Sequence, residues 1–283
     1  MKTFPAYILI MICVVYTGIT SCETNATIDV PESVPKLVVS CFLSPQDTVI
    51  RVMVSRSRPI FSDNVNYDMD VADATVIISN GIKSVTLPFV SGGSTDLDYY
   101  KLPVSNVFPI KGGATYYLNV SAPELIPVEA SCTIPQWLPD TMMVDINEAD
   151  IYDIRCNVKW NDKPSQKNFY RVRVQSLLVD TNTNTPYSIY NFQPEGAELV
   201  NDLNNDGAQF NLTFVNDYLF HPEDVYDVYL MNIDENYFLY QRSYNDYNYY
   251  ADPFSEATPI YTNIKNGLGI FCGYQQLVRR YNP

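Results

Sequence analysis

A single histidine, His221, is all the imidazole that this 283-residue chain offers. That scarcity excludes a histidine-rich metal centre and leaves a His-carboxylate hydrolase poorly supplied. His221 lies in "FHPED" and reads as a turn residue. The chain also lacks a CxxC pair, a GxSxG elbow and a GxGxxG or GxxxxGK phosphate loop, and its acidic residues are scattered without visible pairing, so hydrolase and nucleotide-binding chemistry have no anchor. Basic residues are few, 18 against 32 acidic, for a formal net charge of −14. Nucleic acid and anionic lipid surfaces are poor partners for such a field. After the N-terminus no stretch reaches 18 apolar residues, so no later membrane-spanning helix is expected.

What is present begins with an export signal. Lys2 precedes the apolar run Tyr7 to Tyr16 ("YILIMICVVY"), too short for a stable span of about 20 residues. The following "ITSC" resembles the bacterial lipobox, which implies cleavage before Cys22, acylation of that cysteine and loss of Cys13 with the signal. Several acyl chains hold a protein firmly on a membrane, each buried CH₂ contributing about 0.8 kcal/mol. Residues 1–21 are thus expected to be a signal peptide. Residues 22–35, with the unpatterned "TNATIDVPESVP", are expected to be a tether.

The mature 262 residues are rich in Tyr, Val, Ile and Thr, with 23 tyrosines and 19 prolines in the whole chain, and point to an all-β protein. Between residues 36 and 135, seven alternating runs, from "KLVVSCFLS" to "EASCTIP", are separated by turns such as Asn80-Gly81, Gly92-Gly93 and Gly112-Gly113. This spacing predicts an immunoglobulin-like or transthyretin-like β-sandwich. "IPQWLPD" (134–140) is a stiff connector whose Trp137 suits a cleft between domains. From residue 136 to 283, "YDIRCNVKWND", "NFYRVRVQSLLV", "AQFNLTFV" and "VYDVYLMNI" predict a second sandwich, fibronectin type III-like, with Trp160 and Tyr170 facing inward. One helix interrupts it: Asp234 is a candidate N-cap, and Tyr237, Tyr240, Tyr244 and Tyr247 recur at spacings of three and four.

Four cysteines remain in the body of the chain. In an exported protein Cys41 with Cys132, and Cys156 with Cys272, can each tie the first and last strands of a domain, or all four can be buried thiols; both readings stay open. "DLNNDG" (202–207) matches half of an EF-hand loop, making Asp202, Asn204 and Asp206 a weak calcium candidate, but Thr213 stands where the bidentate Glu belongs. Most of the tyrosine stripe suits core packing. Tyr247, Tyr249 and Tyr250 exceed one helix face and form a candidate contact patch.

The ending carries a resemblance. "YFLYQRSY", followed by "DPFSEATPIYTNIKNGLGIFCGY" (252–274), is similar to the closing signature of a Bacteroidetes lipoprotein family catalogued as a domain of unknown function, number 4249, and "LVVSCFLSPQDTVIRVMVSRSRPI" (37–60) extends the likeness along the chain. The resemblance implies an outer-membrane lipoprotein beside a TonB-dependent receptor, more on the cell surface than on the periplasmic face, with no cofactor and no catalytic residue to carry over. "DTV" and "DTM" resemble the O-glycosylation motif of the same bacteria, implying sugars on Thr48 and Thr141. Within the final segment, "NGLGIF" leads into a strand, so its glycines are expected to allow close backbone approach rather than to cradle phosphate. The expected role is a non-enzymatic accessory in nutrient uptake that captures a ligand or partners the receptor. The alternative is a structural or adhesive surface lipoprotein.

Overall fold

Alternation of buried and half-buried positions along Leu37–Leu43 sets the pattern for the first half of the chain: Leu37, Val39, Cys41 and Leu43 point inward while their neighbours stay outside. The computed structural model describes residues 34–58, 69–93, 97–105, 107–150, 153–180, 185–216, 225–249 and 259–281. The expectations on the signal peptide, Cys22, His221 and Tyr250 therefore lie outside the described residues. From Pro35 onward the described residues belong to one compact unit, and none of their helices is long and apolar enough to cross a membrane.

The first eight strands are β1 (Leu37–Leu43), β2 (Val49–Arg56), β3 (Thr75–Ser79), β4 (Ser84–Leu87), β5 (Phe89–Val90), β6 (Tyr99–Pro103), β7 (Thr115–Ser121) and β8 (Val128–Thr133). They form two layers, β1-β2-β6-β5 and β4-β3-β7-β8, around a core that includes Val39, Val52, Val76, Ile78, Leu118 and Val120. The run "SVTLPFV" becomes two strands because Pro88, which has no N–H to give a ladder, sits where the chain crosses between layers. Two tyrosines tie loops to this core. Tyr100 Oη accepts from Ala74 N and donates to Val71 O, and Tyr116 Oη accepts from Lys111 N and donates to Pro109 O.

The second half supplies β9 (Met143–Asp150), β10 (Asp153–Asn161), β11 (Phe169–Asp180), β12 (Thr185–Asn191), β13 (Gln193–Pro194), β14 (Leu199–Asn201), β15 (Gln209–Asn216), β16 (Val225–Ile233), the helix α1 (Glu235–Tyr249) and β17 (Leu268–Tyr281). One layer runs β13-β15-β10-β9. Its opposite, β12-β11-β16-β17, carries β14 on the edge of β11. Ile154, Val158, Trp160, Tyr170, Val172, Phe214 and Val228 fill the space between. The fold class is thus all-β, sandwich-like, with one helix near the C-terminus. β10 and β11 do not pair with each other, since residues 162–168 carry the chain from one layer to the other.

β17 joins the halves. Its residues Leu268–Gly273 run parallel to β1, in register Val38↔Leu268 to Leu43↔Gly273, whereas Tyr274–Tyr281 run antiparallel to β16. A single nine-stranded sheet results, and the segment 136–283 contributes a strand to the first sandwich as well as to the second. Close approach demands glycine here: Gly269 has φ +105°, and a Cβ on it would lie 2.0 Å from Val39 O. Side chains finish the far edge of the parallel segment. Asn263 Oδ1 accepts from Phe271 N while its Nδ2 donates to Phe271 O, as a neighbouring strand would.

Asp234 is the clasp on this junction. Its Oδ1 accepts from Tyr237 N at 2.8 Å, the N-cap bond expected from sequence, and its Oδ2 accepts from Gly273 N at 3.0 Å. Its own N–H donates to Gly273 O. The helix so anchored lays Tyr237 and Phe238 over Phe169, Met231, Ile233, Ile270 and Cys272, a third small core on the outer face of the seam. Trp137, in the connector, packs on the second core, and its carbonyl accepts from Asn232 Nδ2.

All four body cysteines are free and buried. The proposed bridges are not formed. Cys41 and Cys132 share the first core as thiols, while Cys156 lies in the second core and Cys272 under the helix. Burial pushes each thiol well above its ordinary pKa, so they behave as small apolar groups.

Gly269→Ala forces β17 off β1 and is expected to destabilise the fold by more than ~3 kcal/mol, measured by urea unfolding. Burial pushes the Asp234 carboxyl up to about 7, against the opposing hydrogen bonds from Tyr237 and Gly273. The folded state therefore keeps a proton that the unfolded chain has released, and stability from this group falls as pH rises from about 4 to about 7. Asp234→Asn is expected to be less stable overall but to lose that slope in Tm against pH.

Candidate functional site

Period-two geometry puts Tyr170, Val172 and Val174 of β11 into the second core and turns Arg171 and Arg173 to the opposite face, beside α1. The edge of β11 is covered unevenly. β14 pairs with Phe169 to Arg171, and β12 pairs from Gln175 onward. Between them, among the described residues, two backbone bonds bridge, Val172 N to Glu198 O and Phe192 N to Val174 O. There the chain leaves the large sheet, pairs Gln193 and Pro194 with β15 in the opposite layer, and returns through Gly196 at φ +125°. The excursion opens a notch of about 800 Å³, within the range of small-molecule pockets.

Pro194 and Leu199, both half-buried, give the notch apolar surface in front of the buried rings of Phe192, Phe214 and Phe238, and Asn191, Asn201 and Asn245 bring amides to it. Three of the chain's nine arginines, Arg171, Arg173 and Arg242, line it, with two carboxylates, Glu198 and Asp246. Arg171 is largely enclosed, its side chain 14% exposed. One terminal nitrogen donates to Tyr237 Oη and the other pairs with Glu198 at 3.3 Å, while Nε is buried without a hydrogen-bond partner. Glu198 also accepts from Asn245 Nδ2. Arg173 lies 5.9 Å from the Tyr229 ring centre. Among the described residues neither Arg173 nor Arg242 forms an ion pair with a carboxylate.

A second cluster lies at one end of the same sandwich. Carboxylate oxygens of Asp162, Asp202 and Asp206 come within 4.8 Å of one another. The structure thus adds Asp162 to the Asp202 and Asp206 of the weak calcium candidate. Thr213 lies within β15 and donates to Asn157 Oδ1. Three such carboxylates could gather a divalent cation. Their oxygens are already engaged, however: Asp162 accepts from Tyr170 Oη, Asn168 Nδ2 and Gly207 N, Asp202 from Asn168 N, and Asp206 from Ser165 N. The group staples the 162–168 crossover to the 202–207 loop. Burial, then the bond to Asp162, pushes the Tyr170 phenol far up and keeps it a donor. Burial likewise raises Asp202.

The family model described as Domain of unknown function (DUF4249) matches residues 23–280. The chain belongs to that family. No curated protein matches the sequence. Among solved structures, this DUF4249 member is similar to the Fcho1 Mu homology domain of Danio rerio with bound Eps15 peptide, at 10% identity over 86% of this chain and 92% of that one. The TM-score of 0.21 is too low to carry an argument about fold or binding.

The other sequence-derived candidates are dispersed. Thr48 and Thr141 are both exposed, accessible to a modifying enzyme. The tyrosine stripe dips into the protein at Tyr237, is half-buried at Tyr240 and emerges at Tyr244 and Tyr247, the last 50% exposed. The side chains of Tyr249 and Tyr250 lie outside the described residues. Arg171, Arg173, Glu198, Arg242 and Asp162 were not singled out by sequence. The one available signal was "RVRV", two arginines on one face of a strand in a strongly acidic chain.

Asp162→Asn leaves a buried donor unmet and is expected to lower unfolding free energy by about 2–3 kcal/mol in urea, with an unchanged m-value. Asp206→Asn, at an exposed residue, is expected to cost less than about 1 kcal/mol.

Proposed function

We propose that this protein is a non-enzymatic, lipid-anchored binding protein of the outer membrane, held through Cys22 on the cell surface and serving a TonB-dependent receptor in nutrient uptake. The observation that carries this reading is the notch beside α1. Its lining includes arginines, amides, half-buried apolar side chains, Asp246 and Glu198, the last already engaged by Arg171 and Asn245, groups suited to holding a ligand. The lipobox supports the anchor, and the family match is consistent with the Bacteroidetes lipoprotein resemblance of the C-terminal signature.

A rigid scaffold also suits a carrier. The two sandwiches share β17, so a ligand held at the notch is presented from one continuous sheet. The test is purification of the labelled protein from outer membranes. The expected result is palmitate label that disappears in Cys22→Ala, and one receptor recovered in stoichiometric amount with the native protein. Label that persists in Cys22→Ala would overturn the anchor, and consistent absence of a receptor would favour the adhesive alternative.

A further inference from the structure

The charge on the notch runs against the charge on the protein. The chain as a whole carries −14, yet its notch gathers three arginines against Glu198 and Asp246. Arg171 is already neutralised by Glu198 and fixed by Tyr237. What is left is two guanidinium groups, Arg173 and Arg242, against one carboxylate, Asp246, a surplus of one positive charge. Among the described residues nothing inside the fold consumes that surplus, and Arg173 is half-buried beside an aromatic ring.

One negative charge balances the site. A phosphate dianion would leave it negative inside an already acidic protein, and a neutral ligand would leave the arginines unanswered. A carboxylate supplies the single charge and the planar fork that guanidinium groups match. Pro194 and Leu199, both half-buried, then offer apolar surface to the rest of the molecule. We propose that the notch between α1 and the β11 edge binds a small organic monocarboxylate, its carboxylate held by Arg173 and Arg242 and its body set against Pro194 and Leu199. This names a ligand class for the binding role above and rests on it.

Carboxylates of this kind come from acidic sugars or from apolar acids, and titration separates the two. The full-length protein in mild detergent is titrated calorimetrically with glucuronate, phenylacetate, the methyl ester of each, and inorganic phosphate. At least one acid is expected to bind saturably with millimolar or tighter Kd, and its ester roughly tenfold or more weaker. The double variant Arg173→Gln, Arg242→Gln is expected to lose at least about tenfold in affinity for that acid with Tm little changed, whereas Lys83→Gln, on a distant hairpin, keeps it. Glucuronate binding without phenylacetate binding assigns an acidic sugar, and the reverse assigns an apolar acid. No saturable binding of either acid, binding that survives the double arginine variant, or phosphate binding as tight as the acid overturns the proposal. Receptor recovery is measured separately, so a protein that binds acid but brings down no receptor refutes the uptake role and leaves the ligand assignment standing.

Discussion

Everything in this fold depends on β17 pairing in two directions at once. Its first six residues lie parallel to β1, and its last eight antiparallel to β16, so hydrogen bonds made by one strand complete both sandwiches. Such a strand meets different neighbours along its length, and the change at Gly273 would leave backbone groups unmet in a buried place. Asp234 and Asn263 meet them with side chains. The helix is a consequence of the same repair, because the carboxylate that holds Gly273 also caps α1.

The notch follows from how the opposite edge of that sheet ends. Where β17 is covered on both sides, β11 is covered by β12 and β14 only in part, and the intervening chain is borrowed by the other layer. Strand alternation then delivers two arginines to the opening, and α1, fixed by its N-cap, delivers a third. The notch and the seam are therefore linked through one helix.

Much of this was legible in the sequence and some could not be. Strand alternation announced β1, β2, β3, β7, β10, β11 and β16, and the N-cap and tyrosine spacing announced α1, since these signals are local. The pairing of β1 with β17 has no local signal, as Cys41 and Cys272 stand 231 residues apart. The crossing at Pro88 and the passage from β10 to β11 were concealed for the same reason: a short loop looks alike whether it closes a hairpin or changes layer. Asp202 and Asp206 were visible as a local pattern, while Asp162 reached them only through tertiary structure. The paired cysteines were a matter of symmetry in the sequence, and the cores separated Cys156 from Cys272. The arginines of the notch were scattered letters until β11 and α1 brought them together.

The shared strand also sets the order in which the molecule can be finished. β1 is made early, but the edge it offers to Leu268–Gly273 stays open until synthesis has reached β17. The sandwich whose strands are made first is thereby among the last parts of the molecule to be sealed.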